Sequence, residues 1–357
     1  MTVAYINRVA TAVPEHDVHG TFVRFAQNLL PDRRSRLLFD RMVARSQIQH
    51  RWSFLAPARA GCNEAVDADG FYSLGQFPST AQRMRRYEIE APILGARAIN
   101  RLAFGEATRE ITHLIVTSCT GYYAPGIDLD LVERCGLDPS VERTVIGFMG
   151  CYAAITALKL AHHIVRSEPG AKVLVLCLEL CTLHLQETDD IECLLTFLLF
   201  GDGCSAAVVS AEPIGLSLER FHAVLVQPAA DQITWNIRDF GFDMVLSGQV
   251  PSTLADALRS NLDRVLPAQS ADTIDMWAVH PGGRSVLDAV EGAFSLRQSQ
   301  LAASRAVLRQ YGNMSSPTVM FVLETMMREK MPAGARGCAM AFGPGLTAET
   351  VLFSRSA

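Results

Sequence analysis

Gly147-Phe148-Met149-Gly150-Cys151-Tyr152-Ala153-Ala154 joins a strand-like run that starts at Thr144 to a helical stretch, 152–167, with almost no polar face. A strand that passes through a glycine-flanked cysteine into an apolar helix belongs to a sheet covered on both faces. The thiol also sits where a helix N-terminus lends partial positive charge, which favours thiolate over thiol. Cys151 is therefore a candidate nucleophile.

The alternation continues on both sides. A short strand at 3–6 is followed by helical periodicity over 21–44, a Gly- and Asp-rich loop at 61–78 and an amphipathic helix at 81–104. The apolar run 113–119 is a buried strand closed by Gly121 and Pro125-Gly126, and the helix 127–135 stops at Gly136. Glu168-Pro169-Gly170 ends the helix after Cys151, and 172–179 and 204–210 are further buried strands. After Pro213 the order restarts, with strands near 216–226 and 275–280 and helices near 253–265, 285–294, 298–311 and 314–328. Strands at 338–342 and 349–354 complete the chain. The halves echo each other in order of elements, which predicts a duplicated five-layer α/β architecture. No linker separates them, so residues 1–211 and 212–357 are expected to form one unit.

The 357 residues are 49% hydrophobic and 19% charged with a net charge of −5, as expected of a compact fold with little disorder. No Lys/Arg stripe dominates any segment, which argues against a nucleic-acid binder. No apolar h-region precedes Glu15 and Asp17, and the longest apolar run, 194–200, is too short for a bilayer, so a cytoplasmic setting is expected. The nine cysteines are odd in number, and Cys177 and Cys181 have no second pair to complete a metal site. Most are expected to be buried free thiols.

Two later segments supply partners for Cys151: Val279-His280-Pro281-Gly282-Gly283-Arg284 and Tyr311-Gly312-Asn313-Met314-Ser315-Ser316. Each alone has an ordinary reading, since cysteine packs, histidine follows strands, and asparagine after glycine caps helices. Together they lie at strand-to-helix junctions, where a doubly covered sheet places its active site. His280 is expected to act as a cationic neighbour of the thiolate. With Asn313, expected to open another helix, it would hold a thioester oxyanion or an enolate. Cys, His and Asn in that order, about 130 and about 30 residues apart, read as a Claisen-condensing enzyme.

With Phe200-Gly201-Asp202-Gly203 and Phe342-Gly343-Pro344-Gly345-Leu346-Thr347 added, the chain resembles the type III polyketide synthases of the chalcone synthase superfamily along nearly its whole length. The resemblance implies a thiolase-like duplicated αβαβα sandwich working as a homodimer on acyl-CoA and malonyl-CoA. It implies that Cys151 carries the acyl chain while His280 and Asn313 promote decarboxylation and stabilise the enolate. Phe200 takes the place of the aromatic gatekeeper, whose ring favours loss of the malonyl carboxylate as neutral CO2; a core ring closing a strand is the plain alternative. Met244 stands where the family has a second phenylalanine. Arg41 and Arg45, four apart, match basic positions of the CoA entrance or else form a solvated face, and Leu38 replaces a third. Gly282, Gly283 and Ser285 would border the pantetheine arm, with Phe342, Gly343 and Pro344 on the facing loop. No metal or prosthetic group is implied, because the thioester supplies the activation.

The pocket positions carry the substrate expectation. Trp235 replaces a glycine of the plant elongation cavity and fills space that a flavonoid-sized intermediate needs. Ala124 replaces a methionine that crosses the dimer interface, Thr120 and Cys181 take other small cavity positions, and His184 replaces a threonine. This set resembles the bacterial alkylpyrone- and alkylresorcinol-forming branch, which implies a medium or long acyl-CoA starter. A short or aromatic starter stays open if Trp235 is only packing. So do an initiating ketoacyl-carrier-protein synthase, which would show a basic docking patch, and a non-catalytic acyl-binding scaffold.

Overall fold

The computed structural model describes residues 2–59, 61, 62, 64–266 and 271–356. Among them nine strands form one sheet: β1 Ala4–Ala12, β2 His113–Ser118, β3 Glu142–Gly147, β4 Val173–Leu180, β5 Asp202–Ser210, β6 Leu216–Leu225, β7 Met276–Val279, β8 Arg336–Gly343 and β9 Thr347–Arg355. Their order in space is β7-β8-β9-β6-β1-β5-β4-β2-β3. The duplication is written in the pairings. β2 runs parallel to β4, β4 antiparallel to β5, and β5 antiparallel to β1. β7, β8, β9 and β6 repeat that sequence of directions. The two copies join where Ala4–Ile6 of β1 meets Leu216–Leu218 of β6, antiparallel.

The helices used below are α1 His19–Leu29, α2 Arg33–Ser46, α3 Thr80–Asn100, α4 Ile127–Cys135, α5 Ala153–Ser167, α6 Ile191–Leu199, α7 Val250–Ser260, α8 Arg284–Phe294, α9 Ala302–Tyr311 and α10 Thr318–Arg328. Two of them, α5 and α10, form the middle layer. Their apolar residues share one core with the inward faces of both halves, from Val173, Val175 and Cys177 to Ala339 and Ala341. The alternate residues Leu174, Leu176 and Leu178 face the other way, into a core with α3 and α4. On the far side Trp277, Val279, Cys338 and Met340 pack against α7, α8 and α9. These are the five layers the sequence implies, in a thiolase-like arrangement. A helix held between the two halves, reaching solvent mainly near its end at His163, Arg166 and Ser167, has little use for a polar face, which explains the composition of α5. Enclosure also keeps α10 helical despite its β-branched Thr318, Val319 and Val322.

Three local expectations need correction. The periodicity over 21–44 is two helices, because Pro31 cannot continue α1 and Asp32 caps α2, accepting from the Arg34 and Ser35 amides at 2.7 and 3.0 Å. Asn313 does not open a helix; it pairs with Phe200 in an isolated parallel bridge, and α10 starts at Thr318. A hairpin, Ile233–Arg238 with Gly241–Leu246, fills a stretch that carried no expected element. Its turn, Asp239-Phe240, lacks the Asn-Gly or Asp-Gly signal that announces a tight hairpin.

Leu158 lies in α5 with no exposed surface. Leu158→Ala should destabilise the protein by about 2–5 kcal/mol, read as a lower urea midpoint. A loss under about 1 kcal/mol would contradict a middle layer enclosed on both sides.

Candidate active site

The site forms at the N-terminal ends of the two middle helices. After β3 the chain passes through Phe148 and Gly150, at φ 53° and 67°, into a short turn, Gly150–Tyr152, before α5. Left-handed backbone at a phenylalanine is costly, and here it turns Cys151 away from the strand line. A Cβ on Gly150 would come 2.3 Å from Pro344 Cδ, so glycine is what lets the Phe342–Pro344 loop close on this turn. The Gly150 amide donates to Cys119 Sγ at 3.0 Å.

Asn313 is held from both sides. Its backbone N–H donates to Leu199 O at 2.8 Å, and its carbonyl accepts from the Gly201 N–H at 3.0 Å, zipping it to the Phe200 segment. Its side-chain orientation follows from its partners. The Ser315 N–H can only donate and lies 2.8 Å from Oδ1, while the Gly282 carbonyl can only accept and lies 3.3 Å from Nδ2. One Nδ2 hydrogen thus remains for a substrate oxygen. Cys151 Sγ is 4.0 Å from Asn313 Oδ1, a long sulfur contact.

His280 follows β7, its amide bonded to Met340 O at 2.8 Å. Its ring is buried, and neither Nδ1 nor Nε2 has a hydrogen-bond partner among the described residues. Burial alone pulls its pKa down to about 3, so the imidazole is neutral. Burial likewise pushes the Cys151 thiol up to about 11, reinforced by the Glu179 charge and opposed by a hydrogen bond from Ser315. This corrects the expected thiolate beside a cationic histidine. At this depth desolvation outweighs the helix terminus, and the resting pair is thiol and imidazole.

Cys151, His280, Asn313 and Phe200 all line one largely apolar cavity of about 500 Å³. Arg45, Thr120, Cys181, Trp235 and Met244 line it too, as do Gly282, Gly283, Ser285 and the Phe342–Pro344 loop. Arg41, Ala124 and His184 do not. Arg41 and Ala124 are exposed, and His184 is buried behind the wall. There the His184 ring stacks on Phe242 at 4.1 Å and meets the Trp235 edge at 5.2 Å. Its Nε2–H donates to Thr120 O and its Nδ1 accepts from the Phe242 N–H, at 2.8 and 2.9 Å, which fixes one neutral tautomer. Trp235 is anchored in turn by its indole N–H, 2.8 Å from Cys119 O, and pairs across the hairpin with Met244.

Sequence reasoning missed two buried groups that shape the site. Arg51 donates to the carbonyls of Phe197 and Phe200 at 2.8 and 2.6 Å, and so positions the Phe200 backbone. Glu179 accepts from the Cys119 amide, Thr120 Oγ1 and Ser316 Oγ at 2.8, 2.9 and 2.7 Å, yet burial raises its pKa to about 7. No motif marks either; Glu179 is a lone carboxylate in an apolar run, and Arg51 follows the polar Gln49-His50, where a cation reads as solvated. Among the described residues no group of three His, Cys, Asp or Glu could hold a metal ion, and no helix is long and apolar enough to cross a membrane.

A depressed histidine pKa carries a sign. Unfolded His280 takes up a proton near its ordinary value of 6.5, folded His280 only near 3, so its contribution to stability is present above 6.5 and lost as pH falls toward 3. Glu179 and Asp202, each raised to about 7, act in the opposite sense and are common to wild type and variant. Between pH 7 and 4, His280→Asn should therefore lose less unfolding free energy than wild type, by at most about 1.4 kcal/mol per pH unit. Parallel curves would mean that His280 titrates normally in the fold.

The family model for the N-terminal domain of chalcone and stilbene synthases matches residues 4–213, and that for the C-terminal domain matches 220–356. An alpha-pyrone synthesis polyketide synthase-like protein, Pks18 of Mycobacterium tuberculosis, is 34% identical over 99% of this chain and 91% of its own. Bisdemethoxycurcumin synthase of Oryza sativa subsp. japonica is also 34% identical, over 90% of this chain and 83% of its own. The crystal structure of PKS-I from the brown alga Ectocarpus siliculosus superposes with a TM-score of 0.89 at 31% identity, over 99% of both chains. The chain belongs to the chalcone and stilbene synthase family and is a type III polyketide synthase.

Proposed function

We propose that this protein loads a medium- or long-chain acyl-CoA starter on Cys151, extends it two or three times with malonyl-CoA, and releases an alkylpyrone or alkylresorcinol. The observation that carries the reading is the convergence of Cys151, His280, Asn313 and Phe200, from both halves of the chain, on one apolar cavity. In this reading the division of labour falls between residues 1–211, which bring the nucleophile, and 212–357, which bring the imidazole and amide.

Loading begins as Cys151 Sγ attacks the thioester carbonyl and its proton passes to neutral His280. The oxyanion takes hydrogen bonds from Asn313 Nδ2 and from the imidazolium, and CoA leaves with the proton. Malonyl-CoA then enters. Its carboxylate faces the Phe200 ring, where charge is poorly solvated, and departs as CO2. The electron pair left behind forms an enolate whose oxygen is held by the same two donors. The enolate carbon attacks the acyl-Cys151 carbonyl, and Cys151 Sγ is released. A neutral His280 suits both steps, as proton acceptor first and as Nε2–H donor later.

The walls support this starter class. Cys181 and Thr120 leave room beside the nucleophile, while Trp235 and Met244 close the side from the hairpin. The name of Pks18 speaks for a pyrone product, whereas bisdemethoxycurcumin synthase, equally similar, shows how far products vary within the family. A homodimer belongs to the same reading. Strand β3 ends the sheet, and Val145 on it, Leu129 of α4 and Phe148 are exposed apolar residues of the kind a second copy covers. A cytoplasmic setting, where CoA thioesters are made, completes it.

The test is a ladder of acyl-CoA starters from acetyl to stearoyl, with coumaroyl, incubated with malonyl-CoA and read by mass spectrometry. Alkylpyrones or alkylresorcinols should appear from medium or long starters, with an acyl adduct on Cys151 that is absent from Cys151→Ala. Trp235→Gly should shift the products to longer or different chains. Turnover with only short or aromatic starters would overturn the fatty-chain reading, and an adduct persisting in Cys151→Ala would overturn the nucleophile.

A further inference from the structure

Helix α2 departs from the charge of the rest of the chain. It carries Arg33, Arg34, Arg36, Arg41 and Arg45 against one carboxylate, Asp40, in a protein of net charge −5. This corrects the expectation that no segment holds a basic stripe. Spread over fourteen residues the arginines do not stand out in the sequence, and winding into a helix brings three of them together. At about 100° per residue Arg34, Arg41 and Arg45 fall within about 40° of one another, opposite Phe39 and Val43. Leu37 borders this stripe on one side, and Leu38 and Met42 on the other, exposed by 49%, 47% and 36%.

Arg36, on another side of the helix, holds the Leu30 carbonyl, but the other four arginines are not serving the fold. Among the described residues no carboxylate pairs with Arg33, Arg34, Arg41 or Arg45; Asp40 bonds to Gln27, and Asp32 caps the helix. Arg33 and Arg34 also stand in the first turn, where the helix's own partial charge is positive. Unpaired cations at the wrong end of a helix are a local conflict of the kind that functional surfaces keep.

The stripe runs into the cavity, whose mouth includes Met42, Arg45 and Ser46. Arg34 is eleven residues back from Arg45, roughly 16 Å along the helix. A CoA nucleotide gathers its phosphates at one end of the pantetheine arm and needs cations only at the mouth. Cations spread over this length fit a folded acidic partner. The arginines form the centre of the stripe and the leucines its borders, the reverse of a helix that buries an apolar centre in a lipid surface.

We propose that α2 docks a small acidic acyl carrier protein, whose phosphopantetheine arm enters the cavity beside Arg45 and delivers the starter to Cys151. The proposal rests on acyl loading at Cys151 as argued above. In the transfer Cys151 Sγ bonds the acyl carbon, the carrier's C–S bond breaks, and the Cys151 proton ends on the departing pantetheine thiol. No further reactant is needed.

The test compares two donors of the same acyl group, the one that loads best from CoA, presented as acyl-CoA and on a purified acidic bacterial acyl carrier protein. Adduct formation on Cys151 is followed by intact mass in wild type and in R33E/R34E. Glutamate in the first turn favours the helix, so the variant is expected to fold. The carrier donor should load wild type, with kcat/KM falling about tenfold or more in the variant and with added salt, while the CoA donor changes less than about twofold. No loading from the carrier despite loading from CoA would overturn the docking proposal and leave the proposed function standing. Equal loss with both donors, or no loss with either, would also overturn it. Loading from neither donor would remove the acyl-transfer reading itself. Binding of wild type to vesicles of anionic phospholipid, abolished in R33E/R34E while carrier loading is unaffected, would assign the stripe to a membrane instead.

Discussion

The site depends on one backbone contact, the bridge between Phe200 and Asn313. Asn313 gives its N–H to Leu199 and takes the N–H of Gly201, so the strand entry of the first half and the helix approach of the second share a register. Through it the Phe200 ring, the Asn313 amide and the Cys151 turn keep fixed relations although they come from distant parts of the chain. Arg51 adds to the hold by capping the Phe197 and Phe200 carbonyls from behind. The duplicated fold supplies the frame, since the N-terminal ends of both middle helices come together at this point.

The second constraint is dryness. A cavity walled by Phe200, Trp235, Met244 and Leu199 cannot support isolated charges, and the thiol and imidazole both stay neutral there. That suits condensation chemistry better than a standing thiolate would. Charge appears only when a thioester carbonyl is present to receive it, where the Asn313 amide is already oriented. The same dryness makes the malonyl carboxylate unwelcome beside Phe200, which favours its loss.

Much of this was legible in the sequence. The junction at Gly150-Cys151 marked the nucleophile, α4 was bounded by its own glycine, and the repeated order of strands and helices pointed to duplication. The motif set led to the family. What the sequence hid has physical reasons. The charge state of Cys151 depends on burial depth, which a helix N-terminus does not reveal. The hairpin carrying Trp235 and Met244 is held by contacts with Cys119 and His184 rather than by a turn signal. Glu179 looks out of place in its apolar run, and Arg51 like a surface cation beside His50, until their amide, hydroxyl and carbonyl partners are seen. Helix α2 reads as an unremarkable mixture until Arg34, Arg41 and Arg45 are placed on one side.

The central claim is that Cys151 rests as a buried neutral thiol and is activated only when substrate arrives. The most direct measurement is the pH dependence of Cys151 alkylation by iodoacetamide in the free enzyme, followed by peptide mass. With the thiol pushed up to about 11, the rate should climb about tenfold per pH unit from neutral pH to about 10, without levelling off. A plateau already reached by about pH 7 would mean a standing thiolate paired with protonated His280, and would contradict the account.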